Sequence, residues 1–537
     1  MKTDPHIAYG CGPLSLAVLA NDTDQVKHFL EYQPTALNER NELGQSPLHL
    51  AGDKPLCLQL LVEAAIPVQI NQVDNYGWSA LDTAMIVSSN LCNNNLEYGR
   101  CSRCNCADSV AILLKSDCAI LMPHYGLQYI LRASTTRCQS RYISHLKDRR
   151  TRLKQLALNN LPFSDIKALR LDSKEILDVY APQTVNMLHQ HNVEIPDALS
   201  IVRDGCPGDF QPVYRALSDY RHANKFFDMG FCEVDDAGGD RLPPLACHGI
   251  GAWHSVNYLS WLVDHGANIF RPLDRVKSPY LGKGASSAHH VFCEIGKLLG
   301  TRMNLSPRNL SSIHALNAIV IPSSLADYCQ CRCTLGGCTP FINMLKTMPR
   351  YRHNQHASDM IHIFSSYLNH FWSDLNFQHH TSAVRYLTFS ALEIVHTCCI
   401  QGLYGGCINR TNEEINEIRE EEAPMLDLLE ELLEEFQSRV DMLSAQASNG
   451  PYDFIAFLEG YWSHRMKEVP EDIDGDDVCE EERRAAEEIG VTWKKESTSD
   501  STNSENPYNI NMPEHWFYKL DQIAREPTSN HSLPLSN

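Results

Sequence analysis

A six-residue string recurs along this chain at a nearly fixed interval, and repeats of this length build stacked arrays rather than a single core. Gly12-Pro13-Leu14-Ser15-Leu16-Ala17 returns as Ser46-Pro47-Leu48-His49-Leu50-Ala51 and again as Ser79-Ala80-Leu81-Asp82-Thr83-Ala84. Leu14, Leu48 and Leu81 are 34 and 33 residues apart, and Gly44 and Gly77 are 33 apart. The chemistry fits a turn followed by a helix pair. Ser46 stands where it can cap orphan amides, and Pro47 sits at the first helical position, where its missing N–H costs nothing. Small Ala17, Ala51 and Ala84 let neighbouring helices approach. Second helices follow, with Val26, Phe29 and Leu30 spaced along one helical face and Leu60 and Leu61 in the matching role.

A second block lies further on. Arg241-Leu242-Pro243-Pro244-Leu245 opens like a repeat, and Tyr258 to Ile269 closes like one, with Gly266 placed for a left-handed helix cap. Phe226 to Phe231 reads as the tail of a preceding repeat, and Ser286-Ser287-Ala288-His289 as the start of a degenerate successor. These residues resemble the ankyrin-repeat family, closely over about residues 8 to 120 and loosely over 205 to 300. The resemblance implies a solenoid of helix pairs joined by exposed hairpins, which binds protein partners through the hairpins and the concave helix face, and it implies no catalysis. The wider pattern resembles a group of uncharacterised fungal ankyrin-repeat proteins. It comprises Cys331-Arg332-Cys333 before Gly336-Gly337-Cys338-Thr339-Pro340-Phe341, Arg385 to Phe389 before His396-Thr397-Cys398-Cys399, and Glu459-Gly460-Tyr461-Trp462 before Arg465-Met466.

Little else alternates at period two, so the expected fold class is mainly α: an ankyrin-type helix-pair solenoid in two blocks, an additional helical region and an acidic C-terminal helical segment. Residues 1–120 form the first block, with a Cys-rich insertion in the third repeat. Residues 121–204 form a helical bridge, 205–300 the second, degenerate block, 301–410 a helical region with a Cys-rich loop, 411–490 the acidic helical segment, and 491–537 a mostly disordered tail. The acidic segment carries 25 Asp plus Glu against six Lys plus Arg, and so holds nearly all of the chain's net charge of −20. Within it Leu426, Leu429, Leu433, Phe436, Val440 and Leu443 step as a coiled-coil seam would, although Met425, Leu428 and Leu432 widen the stripe toward a helix packed on its own protein. From Arg132 to Lys154 the sign reverses, with eight basic side chains and one acid. The expectation is that the acidic segment packs over part of this basic stretch.

Two cysteine groups are candidate metal ligands, with structural zinc as the candidate ion. Cys92, Cys101, Cys104 and Cys106 lie in or at the end of the third-repeat insertion, and Cys329, Cys331, Cys333 and Cys338 crowd beside two glycines. Close sets of thiols suit a soft, tetrahedral cation, and a short polar loop has little apolar surface to order it otherwise; free thiols are the alternative. Catalytic motifs fail. Gly282-Lys283-Gly284 lacks phosphate-loop spacing, and the calcium-loop-like run from Asp472 has Asp477 and Arg483 where Gly and Glu belong. His396 with Cys398 or Cys399 reads as a structural cluster rather than a thiolate and base pair.

Function follows from these absences and from the repeats. A non-enzymatic protein–protein interaction adaptor is expected, with partner contacts at Asn41, Glu42, Leu43, Asp74, Asn75, Tyr76 and Trp78 on the hairpins. The alternative is a zinc-stabilised or redox-responsive cysteine-rich protein in which the repeats are support. The excess of 66 acidic over 46 basic residues argues against nucleic acid as the main partner, and no apolar run is long enough to span a membrane. An intracellular location, cytoplasmic or nuclear, is expected, with an unnamed protein partner and an oligomeric state left open.

Overall fold

The structure, a computed structural model, describes residues 10–91, 105–116, 118–120, 126–173, 175–201, 212–236, 242–247, 256–273, 284–301, 305–348, 357–397, 411–445, 451–474 and 484. The chain divides into two units, residues 1–468 and 469–537, and nearly all described residues belong to the first. Of the metal candidates, Cys92, Cys101 and Cys104 lie outside the described residues, as does the tail from residue 491.

Helices come in pairs. The first four are α1 (Pro13–Ala20) with α2 (Thr23–Tyr32), α3 (Pro47–Leu50) with α4 (Pro55–Ala64), α6 (Ala80–Leu91) with α7 (Asn105–Lys115), and α8 (Gly126–Arg132) with α9 (Thr136–Asn160); the short α5 (Pro67–Ile70) follows α4. After α10 (Phe163–Ala168) and α11 (Ala181–Gln190) come α12 (Val213–Ala216) with α13 (Tyr220–Asp228), α14 (Pro244–Cys247) with α15 (Val256–Asp264), and α16 (Ser287–Thr301) with α17 (Pro307–Val320). The series continues with α18 (Pro340–Thr347) and α19 (Ala357–Phe371), then α20 (Phe377–Ala391), α21 (Asn412–Glu421), α22 (Ala423–Ala445), α23 (Pro451–Ala456), a π-helical turn over Phe457–Trp462, and α24 (Ser463–Asp474). Among the described residues no strand forms; two isolated bridges, Val73 with Ser79 and Pro272 with Ser286, sit at hairpins.

The helix pairs form one mainly α, ankyrin-type solenoid. The first helices α1, α3, α6, α8, α12, α14, α16 and α18 pack each on the next, and the second helices α2, α4, α7, α9, α13, α15 and α17 form a parallel row. The bridge therefore carries the stack from one block to the other. α9 is its long second helix, and α10, α11 and the segment to Ile201 wrap it around a core of Leu153, Ala157, Leu161, Leu171 and Leu188. Deep burial of Leu14, Leu48 and Leu81, all at or below 1% exposure, is what the 33-residue period encodes. α16 and α18 approach closely, because Gly296 and Gly300, four apart on one face, leave room for the Met344 and Met348 carbonyls; a Cβ there would lie 2.2 and 2.0 Å from those oxygens.

Five of the eight stacked first helices begin with the same device. Gly10, Gly44, Gly77, Gly284 and Gly337 all have positive φ, and two residues later stand the helix caps Gly12, Ser46, Ser79, Ser286 and Thr339. In two repeats a histidine links neighbours. His49 Nδ1 accepts from the Ser46 amide (3.2 Å) and its Nε2 reaches the Trp78 carbonyl of the next hairpin (3.0 Å). His289 repeats this with the Ser286 amide (3.0 Å) and the Cys338 carbonyl (3.0 Å). A carbonyl only accepts, so Nε2 carries the proton and the ring is neutral; burial holds both rings below the ordinary range, His289 at about 4. In the third repeat Asp82 takes the role, its Oδ2 accepting from the Ser79 amide at 2.9 Å.

Among the described residues, each charged stretch has partners of its own. On α9, Arg149 and Arg150 are buried; Arg149 donates to the Leu114 carbonyl (3.1 Å) and to that of Cys118, and Arg150 faces Asp178 (4.0 Å). The repeat before α9 and the segment wrapping it cover Arg149 and Arg150, while residues 475–483 and 485–490 of the acidic segment expected there lie outside the described residues. α22 instead packs on α20, burying Leu429, Leu432 and Phe436, so the widened stripe prevails over the seam. Arg385 on α20 pairs bidentately with Glu430 (2.9 and 2.5 Å), and that bond holds the Glu430 carboxyl below its usual range.

Candidate functional site

Two kinds of surface emerge from the repeat hairpins. In the ordinary ones an Asx side chain shapes the turn. Asn41 Oδ1 accepts from the amides of Leu43 (3.1 Å) and Gln45 (2.8 Å), and Asp74 Oδ1 accepts from Tyr76 and Trp78 (2.9 Å each). The Asn41 amide then returns to the Gln45 carbonyl (3.1 Å) and the Asp74 amide to that of Trp78 (2.9 Å). Neighbouring hairpins are laddered, since the Asn75 amide donates to Leu43 O (3.0 Å) and Asn75 Nδ2 to Glu42 O (3.0 Å). The predicted contact residues therefore divide. Asn41 and Asp74 are buried and spent on turn geometry, Leu43 and Trp78 are half-buried, and Glu42, Asn75 and Tyr76 face solvent, Tyr76 at 71% exposure. Trp78 packs near Tyr129, ring centroids 5.9 Å apart.

The Cys-rich loop between α17 and α18 is the same hairpin with seven extra residues. Asp327 occupies the Asx position: its Oδ1 accepts from the Cys329 amide (3.0 Å) and the Cys338 amide (2.7 Å), and its own amide bonds the Cys338 carbonyl (3.0 Å). In the ordinary hairpins the closing residue lies four positions on; here it lies eleven on. Gly337 turns the chain back at φ 102, where a Cβ would stand 2.1 Å from the Asp327 carbonyl. Thr339 then caps α18, donor Ile342 at 3.3 Å.

The insertion brings two cysteines together with a residue that the spacing alone did not connect to them. Cys331, Cys333 and His396 place their ligand atoms within 4.8 Å of one another, with Cys331 Sγ 3.7 Å from His396 Nδ1. Cys331 and Cys333 are buried at 3% and 0% exposure although they belong to a surface loop. His396 lies just beyond α20, its ring between Phe389 (4.7 Å) and Tyr386 (5.9 Å). A second group, Asp327, Cys329 and Cys338, also falls within 4.8 Å, but its closeness is that of the turn itself, and Cys338 Sγ lies 2.7 Å from the buried Lys346 ammonium. Of the first cysteine set, Cys106 is buried in α7. Cys398 and Cys399, expected to cluster with His396, lie outside the described residues.

α20 gathers the loop and the C-terminal segment. Arg385 Nε donates to the Arg332 carbonyl (3.0 Å), Arg419 on α21 donates to the Gln330 carbonyl (2.7 Å), and Trp462 Nε1 donates to Thr388 Oγ1 (3.0 Å). Thus the Cys331 motif, the Arg385 motif and the Trp462 motif, remote in sequence, meet around one helix.

No protein-family model matches the chain, and no curated protein does. Among solved structures, the ankyrin repeat domain of human ASB11 is similar at 15% identity with a TM-score of 0.25, covering 52% of this chain and 90% of that one. The ankyrin repeat domain of Bcl-3, a unique member of the IkappaB protein family, is similar at 17% identity with a TM-score of 0.24, covering 63% of this chain and 99% of that one. At scores this low the likeness adds nothing to the turn and cap geometry on which the ankyrin-type reading of this chain stands.

Proposed function

We propose that this chain is a non-enzymatic, intracellular protein-interaction adaptor whose hairpin tips contact a protein partner; the narrower likeness to fungal ankyrin-repeat proteins belongs to the same reading. The observation that carries it is Tyr76, a 71% exposed aromatic on a turn whose backbone is held at both ends by Asp74 and laddered to the preceding hairpin. A rigid exposed aromatic offers contact area at small entropic cost, which is what interface anchors supply. Glu42 and Asn75 beside it provide the polar rim. The described helices include none long and apolar enough to cross a membrane.

Tyr76→Ala tests the reading, because the side chain serves no core. Quantitative affinity enrichment of the full chain, wild type against Tyr76→Ala with matched thermal melts, is expected to lose at least one specific protein at least about tenfold, equivalent to about 1.4 kcal/mol. Equal recovery of every partner by both forms removes this surface from the proposal.

A further inference from the structure

We propose that the expanded hairpin is a zinc-binding loop, with Cys331, Cys333 and His396 as ligands and Cys329 completing the tetrahedron. Four observations carry it. The donor atoms of Cys331, Cys333 and His396 already converge, and the 3.7 Å from Cys331 Sγ to His396 Nδ1 is close to the roughly 3.5 Å edge of a tetrahedron with Zn–S of about 2.3 Å and Zn–N of about 2.0 Å. Cys329 Sγ lies outside that 4.8 Å group but accepts the Cys331 amide at 3.3 Å, which holds it beside the site as the fourth ligand.

The loop also has a reason to need an ion. Seven residues have been added to a turn that is otherwise closed by Asx bonding, and they bring buried sulfur rather than an apolar core. Two thiolates and an imidazole suit zinc over magnesium or calcium, which take oxygen donors. With a third thiolate the bound site carries one net negative charge, and the Arg419 guanidinium, which donates to the Gln330 carbonyl of the same loop, is placed to offset it. The neighbouring Asp327, Cys329, Cys338 group is a poorer claimant, since the Lys346 ammonium 2.7 Å from Cys338 Sγ would repel a cation there. Such a site would tie the hairpin before α18 to the chain that leaves α20.

Metal analysis of the full chain, purified from zinc-replete cells without added metal, is expected to give about one zinc per chain, falling to near zero in Cys331→Ser/Cys333→Ser. Cys338→Ser keeps its zinc. Substituting cobalt is expected to give a thiolate-to-cobalt charge-transfer band in wild type. Should the double variant fold poorly, alkylation of the wild-type chain with mass-spectrometric readout takes its place: Cys331 and Cys333 become reactive when a zinc chelator is added, while Cys338 does not change. No zinc in the wild type, zinc retained by the double variant, or chelator-independent alkylation of Cys331 and Cys333 overturns the proposal.

Discussion

At the scale of single residues, buried histidines make this protein sensitive to mild acid. His222, bonded to Gln128 at 3.1 Å, and His380, stacked on Trp372 at 4.2 Å, are each pushed by burial to about 4. The unfolded chain takes up those protons first, near its ordinary value of about 6.5, so each ring's contribution is complete above about pH 6.5 and is lost as pH falls toward 4. The expected loss is on the order of 1–3 kcal/mol per ring. Urea midpoints of wild type, His222→Gln and His380→Gln between pH 7 and pH 4 check this, and the variants should show shallower slopes; equal slopes would show that the rings do not stay neutral. Glycines in the cysteine loop offer a second contrast. Gly336 has φ 86 and open space around a Cβ, so Gly336→Ala should cost about 1–2 kcal/mol of conformational strain alone. Gly337→Ala adds a collision with the Asp327 carbonyl and should lower the thermal midpoint further.

At the scale of elements, one side chain of α20, Arg385, reaches both the cysteine loop and α22: it is buried and engages Glu430 and the Arg332 carbonyl together. Arg385→Ala should therefore raise amide exchange in residues 329–333 and 411–445 in parallel, while Glu430→Gln should affect mainly the latter; exchange confined to one segment in the arginine variant would show that the two are held independently. What was legible in the sequence follows from the same division. Repeat starts were readable because cap, proline and leucine lie within six residues of each other, and even Ser286-Ser287-Ala288-His289 keeps the signature that His289 uses. The hairpin at Asp327 was not, because seven inserted residues separate Asp327 from the Cys338 amide that closes it. His396 was read with its sequence neighbours Cys398 and Cys399, since no local pattern can point across 65 residues to Cys331. One trace did exist: Thr339-Pro340-Phe341 matches the Ser46-Pro47-Leu48 start, and placing it as a repeat would have made the cysteines a hairpin. The burial of Asn41 and Asp74 was hidden for a related reason, because an Asx residue in a turn looks solvent-facing until its backbone bonds are counted.

At the scale of the whole molecule, stacking from α1 to α20 makes stability nearly a sum of repeats and their interfaces. Leu48→Ala, at a position 1% exposed, should cost about 2–5 kcal/mol, and the loss should appear as reduced exchange protection over residues 13–64 with residues 340–391 unchanged. A uniform fall in protection would show instead that the array unfolds as one unit.

The seven added residues at Asp327 also say how such an array can change over generations. The bonds that close the turn are made by its two ends, so whatever lies between them leaves the stacking register untouched. Lengthening the closed segment from four to eleven positions costs only roughly 0.9 kcal/mol in chain entropy, within the reach of a few new contacts. Hairpin tips are thus where this chain can accept new sequence by insertion and keep it, acquiring chemistry at its edge while the helices beneath continue to be selected for packing alone.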